Sequence, residues 1–170
     1  DDCCCCCSAL LAVDDDVVEA DPQTSTISHS ISSTDAVYAG LVLDNITVNI
    51  TDNDTAGITL TQTGESTDAG EDGTSDTYTV VLDTVPSSDV VITITPDSQI
   101  SVSPLTLTFT PGTALTAQTV TVTALDDAVV EGSHSGLLAH TLASDDTDYS
   151  SLAIADINVS ITDNDTAGIT

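Results

Sequence analysis

The chain has 170 residues, no lysine, no arginine and 28 acidic residues, for a formal charge of −28 at pH 7. An average composition of this length would carry about 20 basic side chains. Their absence excludes a basic footprint for nucleic acid, electrostatic docking on anionic lipid, and any lysine or arginine chemistry.

From the N-terminus, the first feature is Cys3–Cys7, one run that contains every cysteine. A disulfide framework spaces its cysteines along the fold and a zinc site pairs them. Neither pattern is present, and residues 1–11 stand as an unassigned Cys-rich leader. No apolar run approaches the ~20 residues of a membrane span, so no membrane insertion is expected. No basic n-region marks a secretory signal, and the sequence reads as a mature piece of something longer. Period-two alternation then predicts strands over Thr26–Ser32 and Leu41–Ile50. Further strands are predicted around Ile58 and Leu60; Tyr78, Val80 and Leu82; Val90, Ile92 and Ile94; Leu105, Leu107 and Phe109; Val120 and Val122; Leu138, His140 and Leu142; and Ile157, Val159 and Ile161. Threonine fills the alternate positions, which suits a solvated strand face. Only 2% of residues are aromatic, so the core is aliphatic. Seven or so short strands in about 110 residues predict an all-β fold, an immunoglobulin-like antiparallel β-sandwich.

Internal repetition sets the domain organisation. Thr51–Thr59 recurs verbatim as Thr162–Thr170; Ala12–Glu19 matches Ala124–Glu131; His29 matches His140, and Tyr38 matches Tyr149. Residues 12–54 are therefore the C-terminal half of one repeat, 55–165 a complete repeat, and 166–170 the start of the next. A unit this long is a separately cored domain in a tandem array rather than a solenoid turn. A half-sandwich cannot bury its apolar face alone. Either the parent chain continues N-terminally or a neighbouring subunit supplies strands by β-augmentation.

The acids are clustered. Asp126, Asp127 and Glu131 follow one predicted strand, and Asp163 and Asp165 follow the last. The first copy repeats these as Asp14, Asp15 and Glu19, and as Asp52 and Asp54, while Glu71 and Asp72 lie in the loop after the first strand of the full repeat. Carboxylates without a cation to pair call for a bound metal, and an oxygen-only donor set favours Ca²⁺. Asp52-x-Asp54-x-Ala56-Gly57 begins like an EF-hand loop, but Thr63 stands where the bidentate Glu is required.

The segment Asp126-Asp127-x₃-Glu131, followed at the end of the repeat by Ile161-Thr-Asp-Asn-Asp165, resembles the Calx-β domain. The wider run Leu107–Pro111, Gln118–Asp127 and Val130–Gly132 is similar to Calx-β-related repeats of large bacterial surface proteins. The resemblance implies that Glu71, Asp126, Asp127, Glu131, Asp163 and Asp165 are calcium ligands at one end of the sandwich. His134 stands where Calx-β proper tends to carry a further acid, and Asn164 interrupts the terminal acid run. A weaker structural site of extracellular type is therefore expected.

His29 and His140 are expected on the apolar face as core histidines bonded to backbone. Gly132-Ser-His-Ser-Gly136 has His134 where a nucleophile elbow requires serine. With few aromatics to line a cleft, the reading is non-enzymatic. All five asparagines begin N-x-S/T sequons: Asn45, Asn49, Asn53, Asn158 and Asn164. Three functions compete. One is a calcium-stiffened structural module of a secreted or cell-surface adhesin-like protein. The second is a glycosylated filament subunit completed by a neighbour's strands, and the third a spacer beside an enzyme domain. The expected partners are neighbouring repeats or identical subunits, with surface glycans as a further class and no nucleic acid.

Overall fold

A computed structural model describes residues 10–169, and Cys3–Cys7 lie outside them. The chain forms two compact units, one ending at Asp54 and one beginning at Thr55. None of the described helical segments is long and apolar enough to cross a membrane.

The first unit contains a two-stranded antiparallel ribbon, β1 (Gln23–Ile27) and β2 (Ile46–Ile50), in which Gln23 pairs with Ile50 and Ile27 with Ile46. Both strands are shorter than the expected Thr26–Ser32 and Leu41–Ile50.

The second unit is a β-sandwich of nine strands: β3 (Ile58–Gln62), β4 (Thr67–Gly70), β5 (Ser75–Leu82), β6 (Val90–Pro96), β7 (Ile100–Ser103), β8 (Thr106–Phe109), β9 (Gln118–Ala124), β10 (His134–Ser144) and β11 (Ile157–Thr162). One sheet has the order β4-β11-β10-β6-β8 and the other β3-β5-β9-β7. Every pairing is antiparallel except β4 with β11. The two inner faces meet over Tyr78, Val80 and Leu82 from β5, Val90, Ile92 and Ile94 from β6, Val120 and Val122 from β9, and Leu138, Val159 and Ile161 from β10 and β11, all buried. The period-two reading placed each of these on one face, because successive strand side chains alternate between core and water.

Two strands escaped that reading. β4 is Thr-Asp-Ala-Gly, with no β-branched apolar residue; it is a strand because β11 offers a parallel edge, pairing Thr67 with Val159 and Gly70 with Thr162. β7 is only four residues long and is held by β9. Leu105, expected inward with Leu107 and Phe109, is exposed just before β8, where its carbonyl accepts the Ile94 N–H at 2.9 Å.

The two repeats show why β1 is short. In β10, residues 134–138 pair with β11 and residues 138–144 pair with β6. The corresponding residues 23–27 have their partner in β2, and strand structure stops there. The same absence corrects the expectation for His29: it is exposed, with Nδ1 3.2 Å from the Asp44 carbonyl. His140 is buried as expected, and its Nε2 meets the Tyr78 hydroxyl at 2.9 Å, a bond between the two sheets. The rings meet edge to face, and burial holds His140 below the usual histidine range.

Candidate metal centre

Sheet order builds the site. β4 and β11 run parallel, so both end at the same rim of the sandwich; β10 is antiparallel to β11, so it begins there. Glu71 follows β4, Asp163 and Asp165 follow β11, and Glu131 and His134 lie in and after the turn leading into β10. The Glu71 N–H extends the parallel ladder by donating to the Thr162 carbonyl at 3.1 Å. That bond seats Glu71 beside the acids that follow β11.

The ligand-type atoms of Glu71, Asp163 and Asp165 lie within 4.8 Å of one another, as do those of Glu71, Glu131 and His134. Glu71 belongs to both groups and is only 5% exposed. Its carboxylate accepts a long hydrogen bond, 3.4 Å, from the Asn164 N–H. Burial raises the Glu71 carboxyl above the usual range, and the charges of Asp163 and Asp127 add to the rise.

Asp163 is the organising carboxylate. Its Oδ1 accepts the Asp165 N–H at 2.7 Å, and its Oδ2 accepts the N–H groups of Gly132 at 2.6 Å and Glu131 at 2.7 Å. The N–H of Asp165, followed by that of Gly132, holds Asp163 below the ordinary range. Asp165 is raised by burial and then by the charges of Asp163, Asp126 and Asp127; its Oδ2 is buried without a hydrogen-bond partner. An orphaned carboxylate oxygen among three further acids fits a hard cation, and these donors suit calcium. His134 turns Nδ1 to the Gly132 carbonyl at 2.9 Å, while Nε2 lies 3.5 Å from Glu131 Oε2 and 3.3 Å from Gln99 Nε2. The Gly132 carbonyl is the main influence raising the His134 pKa.

Asp126 and Asp127 stand at the margin. Asp126 Oδ1 accepts from Asn164 Nδ2 at 3.3 Å, and Asp127 Oδ1 caps the Val129 N–H at 2.7 Å. Asp72 shapes its own turn by accepting the Thr74 N–H at 2.9 Å. His134 and Gln99 border the cluster without having been read as ligands; in the sequence His134 stood out as a departure from an acid and from a nucleophile serine.

The first unit repeats part of this geometry. Asp52 Oδ2 accepts the Glu19 N–H at 2.7 Å, and Oδ1 accepts the Asp54 N–H at 3.1 Å. Asp52 is lowered chiefly by the Glu19 N–H; Asp54 is raised by burial and then by Asp52, Asp14, Asp16 and Asp15. Asp14, Asp15, Glu19, Asp52 and Asp54 line one small pocket. Among the described residues, no buried carboxylate joins this set. Asn45, Asn49, Asn53, Asn158 and Asn164 are all exposed.

No family model and no curated protein matches the chain. Among solved structures, it is similar to the apo-form Calx CBD1 domain at 18% identity, over 64% of this chain and 98% of that one, with a TM-score of 0.46. It is similar to SSP-19, an MSP-domain protein-like family member of Caenorhabditis elegans, at 15% identity, over 63% and 99% of the two chains, with a TM-score of 0.39. It is also similar to domains 4 and 5 of the S-layer protein SbsC at 19% identity, over 84% of this chain and 65% of that one, with a TM-score of 0.39.

Proposed function

We propose that this chain is a structural repeat module of a secreted or cell-surface, adhesin-like protein, in which Ca²⁺ at the rim of the sandwich stiffens a tandem rod. The observation that carries this reading is the buried Glu71 carboxylate, grouped with Asp163 and Asp165 in a sequence that has no lysine or arginine to neutralise them. Like charges at this spacing in a partly dry site repel strongly, and a divalent cation reverses the sign of the interaction. Asp163 and Asp165 also stand where Thr166-Ala-Gly168 opens the next repeat with almost no linker. An ion held there restrains the direction in which the chain leaves. The function is mechanical, with no catalytic step.

Calorimetric titration with Ca²⁺, paired with thermal unfolding in the presence and absence of a chelator, tests the proposal. Binding to the folded chain raises the midpoint with ion concentration as RT ln(1 + [L]/Kd). A melting temperature and hydrodynamic length unmoved by chelation would refute it. A second reading, a glycosylated filament subunit, draws on the exposure of all five sequon asparagines.

A further inference from the structure

The first unit leaves apolar positions open whose counterparts in the second unit are closed. Ile46 is 52% exposed and Tyr38 55%, whereas Ile157 and Tyr149 are 3% and 1% exposed. Ile27, Val48 and Ile50 are half-buried and, with Leu10–Val13, line a groove; their counterparts Leu138, Val159 and Ile161 are core residues. The correspondence is structural as well as sequential, because β1 and β2 pair in the register of β10 and β11. β10 and β11 are interior strands, flanked by β6 and β4 and roofed by the opposing sheet. Among the described residues, β1 and β2 are paired only with each other. An isolated two-stranded ribbon is marginal in water.

The second unit already draws the missing interface: the strands that flank β10 and β11 and the sheet laid over them there, β3 to β9, run from Ile58 to Ala124. We infer that the ribbon face of residues 10–54 is a docking site for a leading half-repeat, a polypeptide segment with the strand pattern of residues 55–123. The inference is independent of calcium. The segment adds one strand antiparallel to β1 and one parallel to β2, and lays a second sheet on Val48 and Ile50. A hydroxyl-bearing turn like that of Thr84 then meets Tyr38. Specificity is also visible. Gly136 in β10 sits against Ile100, where an added Cβ would lie 3.0 Å from Cγ2. Ser25 occupies the Gly136 position in β1. The docking segment therefore carries a smaller side chain than isoleucine at the place of Ile100.

The test refolds the full chain by dilution with an excess of a polypeptide of residues 55–123, and follows amide hydrogen exchange. A second protein carries the same segment fused in place of residues 1–11, which restores the repeat order without depending on association. Exchange in β1 and β2 is expected to slow by roughly 100-fold in both cases, since these amides move from a fraying ribbon to a sheet interior. An Ile100→Ala segment, which lacks all three of the contacting carbons, is expected to bind at least as tightly, and Val48→Asp in the ribbon abolishes protection there while the second unit still melts as before. Unchanged exchange in both the mixture and the fusion overturns the inference. So does a chain that dimerises alone through this face, with Val48→Asp making it monomeric.

Discussion

Tyr149 and Tyr38 are the same residue of the repeat in two environments, and replacing each by phenylalanine isolates what the leading half contributes. The Tyr149 hydroxyl donates to the Thr84 carbonyl at 2.8 Å, accepts the Thr84 N–H at 3.2 Å and lies 2.7 Å from Thr84 Oγ1. Tyr149 and Thr84 are 1% and 2% exposed, so water does not reach the groups that Tyr149→Phe would strand. A lost hydrogen bond costs about 1 kcal/mol net and a buried unsatisfied group 1–3 kcal/mol, which sets the expected loss at about 2–3 kcal/mol. For a domain of this size that is a drop of roughly 10 °C in Tm. Tyr38→Phe touches an exposed phenol and should stay within about 0.5 kcal/mol. Urea unfolding followed by circular dichroism, with an unchanged m value for the second unit, reads both. Equal effects for the two variants, or a Tyr149→Phe change below about 0.5 kcal/mol, would refute the reasoning.

Other consequences follow from the same structure. Gly136→Ala forces a methyl against Ile100 and should cost about 1–3 kcal/mol; adding Ile100→Val should recover part of it in a double-mutant cycle, and additive losses would contradict the packing. Glu71→Gln removes a buried like charge, so the chelated protein should melt higher while its response to Ca²⁺ falls; a lower chelated midpoint with an intact response would count against the site. For pH, the folded pKa of His140 lies below its unfolded value of 6.5, so the unfolded chain takes up the proton first. Stability should therefore fall as pH drops below about 6.5, and His140→Asn should flatten that slope. Glu71 and Asp165 act in the opposite direction in the chelated protein, because their folded pKa values are raised and protonation favours the folded state. The five exposed sequon asparagines predict an intact mass above the bare polypeptide for the native protein, and a bare mass rejects glycosylation.

The sandwich and its core were readable along the chain because one physical fact writes itself into the sequence. A strand buried on one face must alternate, and Val90-Val-Ile-Thr-Ile94 or Gln118-Thr-Val-Thr-Val-Thr-Ala124 can do little else in water. The repeat boundaries were readable for a similar reason, since Thr51–Thr59 and Thr162–Thr170 are identical. The acids of the rim were visible as clusters, but not their hierarchy. Asp163 is a structural acceptor with lowered pKa, while Glu71 and Asp165 carry the repulsion, a division made by which backbone N–H groups point at which carboxylate.

What only the tertiary structure decided is everything that depends on a partner far away in sequence. β4 has no strand signal of its own and exists because β11 presents a parallel edge; that pairing carries Glu71 to Asp163. His29 and His140 share a local pattern, yet one is exposed and one bonds Tyr78, because β6 pairs with the strand of His140 and β5 faces it, and no described strand does either at His29. Alternation tells a residue which way to face; whether anything waits there to cover it is settled by contacts that no local window contains.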